Sequence, residues 1–175
     1  MLENYKKQIG YYWLRKKMIR TLDESNFNHF ITDASDYLII LPSNEIDFSN
    51  SFDVAKYFSI HKKNVTLFVP DLKRNMIKLT SNYQIIDYNI NDVSKLGLPN
   101  KKYISELNQH SFDVLIDLER EENIFISAIT GLVKAKFKVG YKKNELNNLY
   151  NFQVINSKLN SEISYRNLLT SLKMF

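Results

Sequence analysis

Short segments rich in apolar residues recur along the chain between polar stretches. Segments of about four to eight residues that are apolar at consecutive positions indicate strands buried on both faces, as in a parallel sheet. The pattern is clearest in "DYLIILP", "NVTLFVP" and "FDVLIDL". It predicts strands over residues 36–42, 64–70, 83–89, 112–118, 136–141 and 150–156.

Stretches with helical spacing or many helix-forming residues lie before, between and after these strands. They predict helices over residues 3–22, 52–63, 121–135 and 161–175, and one more after a break at 97–99. Gly10 is expected to weaken the first helix, and Ser161 to act as the N-cap of the last. The remaining polar segments 43–51 and 142–148 are predicted loops, and the second is expected to be the more mobile.

The alternation of strands and helices predicts an α/β fold: a three-layer Rossmann-like sandwich with a mostly parallel sheet and right-handed crossovers. The predicted organisation is a basic N-terminal helix over residues 1–22, followed by a single Rossmann-like domain over residues 23–175. With 175 residues, 44% of them hydrophobic and 25% charged, the chain has the composition of one globular domain.

The absence of cysteine excludes disulfides, thiolate nucleophiles and thiolate metal sites, and it favours a reducing, cytoplasmic location. No apolar run approaches the roughly 18 residues of a membrane span, and no secretory signal is visible. The sequence lacks GxGxxG, GxxxxGK[ST] and GxSxG motifs, and its three histidines are isolated. No cofactor and no metal site are therefore predicted.

The net charge of +5 is carried entirely by residues 1–22, where six cations stand against Glu3 alone. Such asymmetry suggests an acidic partner, such as RNA or the ribosome, a membrane surface or an acidic protein surface. A solvated basic helix packed on its own domain is the structural alternative. The candidate contact residues are Lys6, Lys7, Arg15, Lys16, Lys17 and Arg20.

The apolar residues of this helix do not form one stripe. Tyr5, Ile9, Tyr12 and Ile19 share a face, whereas Tyr11, Leu14 and Met18 lie elsewhere. This is a poor fit to an interfacial membrane helix. It is typical of a helix that contacts both its own domain and something else.

The segment "FDVLIDLEREENIFISAITG" places an acid cluster directly after the best predicted strand. Asp117 is expected at the carboxyl end of that strand, and Glu119, Glu121 and Glu122 in the loop and first helical turn, where the helix dipole favours carboxylates. The functional alternative is that Asp117 and Glu119 face a ligand crevice, since the carboxyl ends of strands line that crevice in open α/β sheets. There the pair would bind a cation or act as acid and base. The structural interpretation is preferred.

Three segments, "DYLIILPSNEID", "VTLFVP" and "FDVLIDLEREENIFISAITGLVKAKFKVGY", resemble the N-terminal half of heptosyltransferase-type glycosyltransferases of the GT-B fold, across residues 36–141. Residues 94–141 resemble even more closely a family of small uncharacterised proteins known from the Bacteroidetes. The second resemblance implies an α/β fold and no established activity.

The glycosyltransferase resemblance implies that the acidic general base falls on Asp47, although Ile46 replaces the glycine that precedes the base in those enzymes. Together with Asp117 and Glu119 at the end of the fourth strand, the candidate residues of a ligand crevice are Ser43, Asn44 and Asp47. Because the chain ends at Phe175, the second domain, which holds the nucleotide-sugar site in those enzymes, is expected to be absent.

Three functions are therefore considered. The first is a non-catalytic binding or scaffold module that resembles the acceptor-side half of a GT-B enzyme. The second is an RNA- or ribosome-associated protein that acts through its basic helix. The third is a glycosyltransferase-like enzyme completed by a partner subunit.

Overall fold

The computed structural model describes residues 2–17, 29–77, 83–146, 148–155 and 160–175. The described residues form the α-helices α1 Leu2–Lys17, α2 Phe30–Asp33, α3 Glu45–Ile60, α4 Lys101–Leu107, α5 Ile124–Leu132 and α6 Ser161–Leu172. They form the strands β1 Asp36–Ile40, β2 Asn64–Pro70, β3 Gln84–Tyr88, β4 Phe112–Asp117, β5 Ala135–Tyr141 and β6 Phe152–Val154. Two short 3-10 helices span Asp71–Met76 and Ile90–Asp92.

The six strands make one sheet in the order β3-β2-β1-β4-β5-β6, and every neighbouring pair is parallel. The chain enters at β1, builds outward to β3, and then crosses back to place β4 on the other side of β1. This is the doubly wound order in which the carboxyl ends of the first and fourth strands flank a crevice. The predicted α/β fold with a parallel sheet is therefore confirmed.

The sheet is buried on both faces, which explains its apolar runs. On one face, Tyr37 and Ile39 pack in a cluster with residues of α3 and α6. On the other face, Leu38 and Ile40 pack in a second cluster with residues of α4 and α5. Because consecutive residues of a strand point to opposite faces, an uninterrupted apolar run such as that of β1 supplies both clusters at once.

Helix α1 is packed against the domain rather than standing apart from it. Its Leu14 is fully buried and Tyr11 almost so, in a third cluster with residues of α5 and with Tyr150. Gly10 lies so close to α5 that an added Cβ would stand 2.4 Å from Ile124 Cδ1. The glycine expected to weaken the helix is thus the point of its closest packing. Residues 18–22 of the predicted helix lie outside the described residues.

The predicted loop 43–51 was wrong, because α3 begins at Glu45, seven residues before the predicted start. Asn44 causes the early start: its Oδ1 accepts hydrogen bonds from the backbone N–H groups of Ile46 and Asp47, at 3.0 and 3.2 Å. An asparagine in this N-cap position satisfies donors that the first helical turn leaves unpaired. The polar sequence that suggested a loop is the cap and first turns of a helix.

Two other helix starts also differ from prediction for the same reason. Asn160, not Ser161, caps α6, and Asn123 caps α5, which therefore begins at Ile124. Glu121 and Glu122 precede that cap, and the first turn of α5 contains no acid. Of the two positions predicted for these glutamates, the loop is therefore confirmed and the first helical turn is not.

Candidate functional site at the carboxyl edge of the sheet

The structure brings the predicted crevice residues together at the carboxyl ends of β1 and β4. Ile40 and Asp117 are partners in the parallel register of these strands. Beyond them, the Ser43 backbone N–H and hydroxyl both donate to Glu119 Oε2, at 3.2 and 3.1 Å. Asn44 and Asp47 follow in the cap and first turn of α3. The five candidate crevice residues therefore lie along one edge, and their chemistry depends on what each contacts.

Both side-chain oxygens of Asp117 accept hydrogen bonds from other groups of the protein. Its side chain is 0% exposed, and its Oδ2 lies 2.6 Å from Nζ of Lys143, whose side chain is also 0% exposed. The same oxygen accepts from the Tyr150 hydroxyl at 2.5 Å, and Oδ1 accepts from the Glu119 backbone N–H at 2.9 Å. Burial raises the pKa of Tyr150, and Asp117 adds to the effect, so the hydroxyl stays protonated and donates. Asp117 is thus buried, with Lys143, Tyr150 and the Glu119 backbone as its partners.

Gly140 makes the contact between Tyr150 and Asp117 possible. It is the residue of β5 in register with Asp117. An added Cβ at Gly140 would stand 2.4 Å from Cε1 of the Tyr150 ring. The absence of a side chain lets that ring cross β5 and reach the aspartate. Sequence reasoning missed Lys143, Tyr150 and Gly140, and it placed Lys143 in the segment expected to be the most mobile.

Glu119 is also turned inward, toward the start of α3. Glu119 is almost fully buried, and its Oε2 accepts hydrogen bonds from the Ser43 backbone N–H and hydroxyl. Burial is the largest cause that raises the pKa of Glu119, and the hydrogen bond from the Ser43 backbone opposes it. Glu119 therefore fills the position beside the α3 N-terminus where a ligand anion would otherwise be favoured.

Asp47 is paired with Arg120, a residue that sequence reasoning did not single out. Arg120 donates from Nη1 to Asp47 Oδ1 at 3.0 Å, and the two side chains are 16% and 11% exposed. The residue that the resemblance implies as general base is therefore held in an ion pair near the surface of the edge.

Glu122 joins three parts of the chain. Its Oε2 accepts from the Tyr11 hydroxyl of α1 at 3.2 Å. Its Oε1 accepts from the backbone N–H groups of Asn144 and Glu145, at 2.6 and 3.2 Å. Within the acid cluster, Asp117 and Glu122 are therefore the hydrogen-bond acceptors that hold α1 and the loop after β5 against the end of β4.

The basic residues of α1 divide into two groups. Arg15 is engaged with Glu145, whose Oε2 lies 2.8 Å from Nη2. Lys7, Lys16 and Lys17 are exposed, and Lys16 lies over the Tyr12 ring at 4.8 Å. The side chain of Lys6 and all of Arg20 lie outside what the structure describes.

In the described part of the chain, no three His, Asp or Glu side chains are grouped so as to hold a metal ion. None of the described helices is both long and apolar enough to cross a membrane.

Residues 6–175 match the model of a family of unknown function, DUF6913, and the chain belongs to that family. No curated protein and no solved structure matches the chain.

Replacing Lys143 by methionine is expected to destabilise the protein by about 3–5 kcal/mol, because Asp117 would remain buried without its cation. Adding Asp117→Asn, which keeps an oxygen for the Glu119 N–H, is expected to recover roughly 0.5–3 kcal/mol of that loss. Urea unfolding of both single variants and the double variant measures the coupling. Lys142→Met, at the exposed neighbouring lysine, is the control. Strictly additive losses would show that the pair does not act as a unit.

Glu119→Gln is expected to gain stability relative to the parent protein as the pH rises above 4.5, the ordinary value for a glutamate pKa. A raised pKa in the folded state means that Glu119 contributes fully below that value and that its contribution is lost as it ionises inside the protein. The glutamine keeps an oxygen for Ser43. Unfolding free energies from pH 4 to 8 test this, with Glu121→Gln at an exposed carboxyl as control. A difference that does not change with pH contradicts the expectation.

Proposed function

We propose that this chain is a non-catalytic α/β binding module that resembles the acceptor-side half of a GT-B glycosyltransferase. The observation that carries the proposal is that Asp47, Asp117 and Glu119 all contact partners within the chain. A general base must come within hydrogen-bond reach of the proton that it removes. Asp117 and Glu119 are buried, and Asp47 already accepts a hydrogen bond from a guanidinium.

The sheet order supports the binding part of the proposal. Doubly wound sheets bind ligands outside the carboxyl ends of their central strands, and β1 and β4 are those strands here. The half of the edge beside α5 is closed by the buried Asp117–Lys143 pair. The half beside α3 carries Asp47 and Arg120, which retain some exposure. Recognition at this edge therefore falls to the α3 side.

The purified chain, incubated with nucleoside diphosphate sugars, is expected to release no nucleoside diphosphate and to transfer no sugar. Chromatography of the products against a no-protein blank measures this. Asp47→Asn serves as the matched variant, since it keeps the shape of the side chain. Turnover by the parent protein that the variant lacks would overturn the proposal. Turnover that appears only when a co-purified partner is added would instead favour the enzyme completed by a second subunit.

RNA binding through α1 is the second candidate, and one observation favours it. Tyr5, Ile9 and Tyr12 are all more than half exposed. Their spacing places them on one helical face, opposite the docked Leu14. Exposed tyrosines stack on bases without sequence preference, and neighbouring lysines such as Lys16 neutralise phosphates. This combination supports single-stranded RNA as the occupant of the outer face of α1.

Tyr12→Ala is expected to weaken binding of a single-stranded RNA oligonucleotide by roughly tenfold, because one base loses its stacking partner. The double change Lys16→Gln and Lys17→Gln is expected to reduce the slope of log K against log salt by about 1.4, the effect of two fewer neutralised phosphates. Fluorescence anisotropy over a salt series measures both. Lys56→Gln, at an exposed lysine of α3, is the control. Equal effects at Lys56 would assign the binding to overall charge and exclude a site on α1.

A further inference from the structure

Three large aliphatic side chains are exposed just past the carboxyl ends of β1, β2 and β3, which are neighbours in the sheet. Ile46, in the first turn of α3 after β1, is 68% exposed. Leu72, in the 3-10 helix after β2, is 88% exposed, and Ile90, in the 3-10 helix after β3, is 85% exposed. Leu72 and Ile90 are the two most exposed large hydrophobic residues of the described chain. We call Ile46, Leu72 and Ile90 the carboxyl-edge patch.

The 3-10 helix that carries Leu72 contacts its neighbours on both sides. Lys73 places its Nζ 4.9 Å from the ring centre of Phe48 in α3. The next residue, Arg74, forms an ion pair with Asp87 of β3. These contacts place Leu72 between the start of α3 and the end of β3, which carry the other two residues of the patch. Exposed apolar residues that are scattered singly are ordinary, whereas apolar residues gathered in one place mark an interaction site.

The charge exposed beside the carboxyl-edge patch is negative. Glu45 and Asp71 each precede a residue of the patch, and both are exposed. In the 3-10 helix between them and β3, the Arg74 guanidinium is paired with a carboxylate of β3, and the Lys73 ammonium is buried. Surfaces that associate specifically have complementary charge. A partner of this patch therefore needs apolar side chains with positive charge beside them.

The outer face of α1 has this complementary composition. Tyr5, Ile9 and Tyr12 follow one another at spacings of four and three residues, the spacing of the contact positions in a coiled coil. Lys16 continues the series by one more turn, and Lys17 lies next to it in the sequence; both lysines are exposed. The outer face of α1 therefore presents apolar side chains with positive charge beside them.

The two surfaces do not cover each other within one copy of the chain, since the apolar residues of both are exposed. Pairing of either surface with the same surface of a second copy is disfavoured by charge. Contact between two α1 helices would bring lysines together, and contact between two patches would bring carboxylates together. Contact between the two different surfaces brings opposite charges together.

We propose that the outer face of α1 in one copy of the chain docks on the carboxyl-edge patch of a second copy. The contact is heterologous, so each added copy presents a free surface to the next, and association ends only by closing a ring. Single-stranded RNA would use the same face of α1 and would compete with the second copy. The inference goes beyond the proposed function, because it concerns contact between copies and not the ligand of the module.

Sedimentation velocity over a concentration series measures the association. The average mass of the parent protein is expected to rise with concentration and to fall as salt is added, because salt screens exposed charges. Leu72→Ser, Ile90→Ser and Ile9→Ser are each expected to weaken association at least tenfold, since a large apolar side chain is no longer buried in the contact. Ile60→Ser is the matched control and is expected to change nothing. Ile60 is 66% exposed, but it ends α3, at the opposite end of the helix that begins beside the patch.

Mixing two double variants tests whether the contact joins different surfaces. One variant combines Leu72→Ser with Ile90→Ser, and the other combines Ile9→Ser with Tyr12→Ser, so each keeps one of the two surfaces. Each is expected to remain monomeric alone, and an equal mixture is expected to form a one-to-one complex. All four side chains are exposed, so both variants are expected to melt at the parent temperature. If one does not, the single changes Ile90→Ser and Ile9→Ser take the place of the double ones.

The proposal is overturned if the parent protein stays monomeric over the whole series, or if the mixture forms no complex. It is also overturned if either double variant associates alone as the parent does, because a surface would then pair with its own copy. A parent that stays monomeric and binds a single-stranded oligouridylate through Tyr12 would assign the outer face of α1 to RNA. None of these results bears on sugar transfer, so the non-catalytic assignment is tested separately.

Discussion

The buried ion pair between Asp117 and Lys143 is the interaction on which the carboxyl edge of the sheet depends. Removing two charges from water is costly, and only close pairing with further hydrogen bonds offsets that cost. Here Tyr150 and the Glu119 backbone supply those bonds. The pair also joins the end of β4 to the loop after β5, so the position of that loop and the packing of Tyr150 beneath α1 follow from it.

This arrangement divides the edge into two halves with different properties. Beside α5, Asp117 is inside the protein and is held by Lys143 and Tyr150. Beside α3, Asp47 and Arg120 form an ion pair that lies nearer the surface. Glu119 lies between the halves, where its side chain accepts a hydrogen bond from the Ser43 hydroxyl just before α3. An edge of this kind has the position at which doubly wound sheets bind ligands, without a glycine-rich loop at the end of β1.

Helix α1 has two different faces, and each has a separate consequence. The inner face places Gly10 and Leu14 against the domain, and Glu122 accepts from Tyr11, so the helix is part of the folded unit. The outer face leaves Tyr5 and Tyr12 exposed beside lysines. The basic segment is therefore a packed helix over residues 2–17, and a contact surface on its outer face stays a prediction.

Local pattern was enough to determine the strands, because burial on both faces requires apolar residues at consecutive positions. The predicted strand 64–70 coincides with β2, and Asp117 ends β4 as expected. The sequence predicted the first residues of the helices less well, because Asn44 and Asn160 act as caps only once the following backbone is helical. The sequence also showed which acids would gather after β4. It did not show that Lys143, 26 residues after Asp117, would be buried against it. A lysine among polar neighbours has the same sequence signal whether it is solvated or paired, and only the return of the chain past Gly140 and Tyr150 decides between the two.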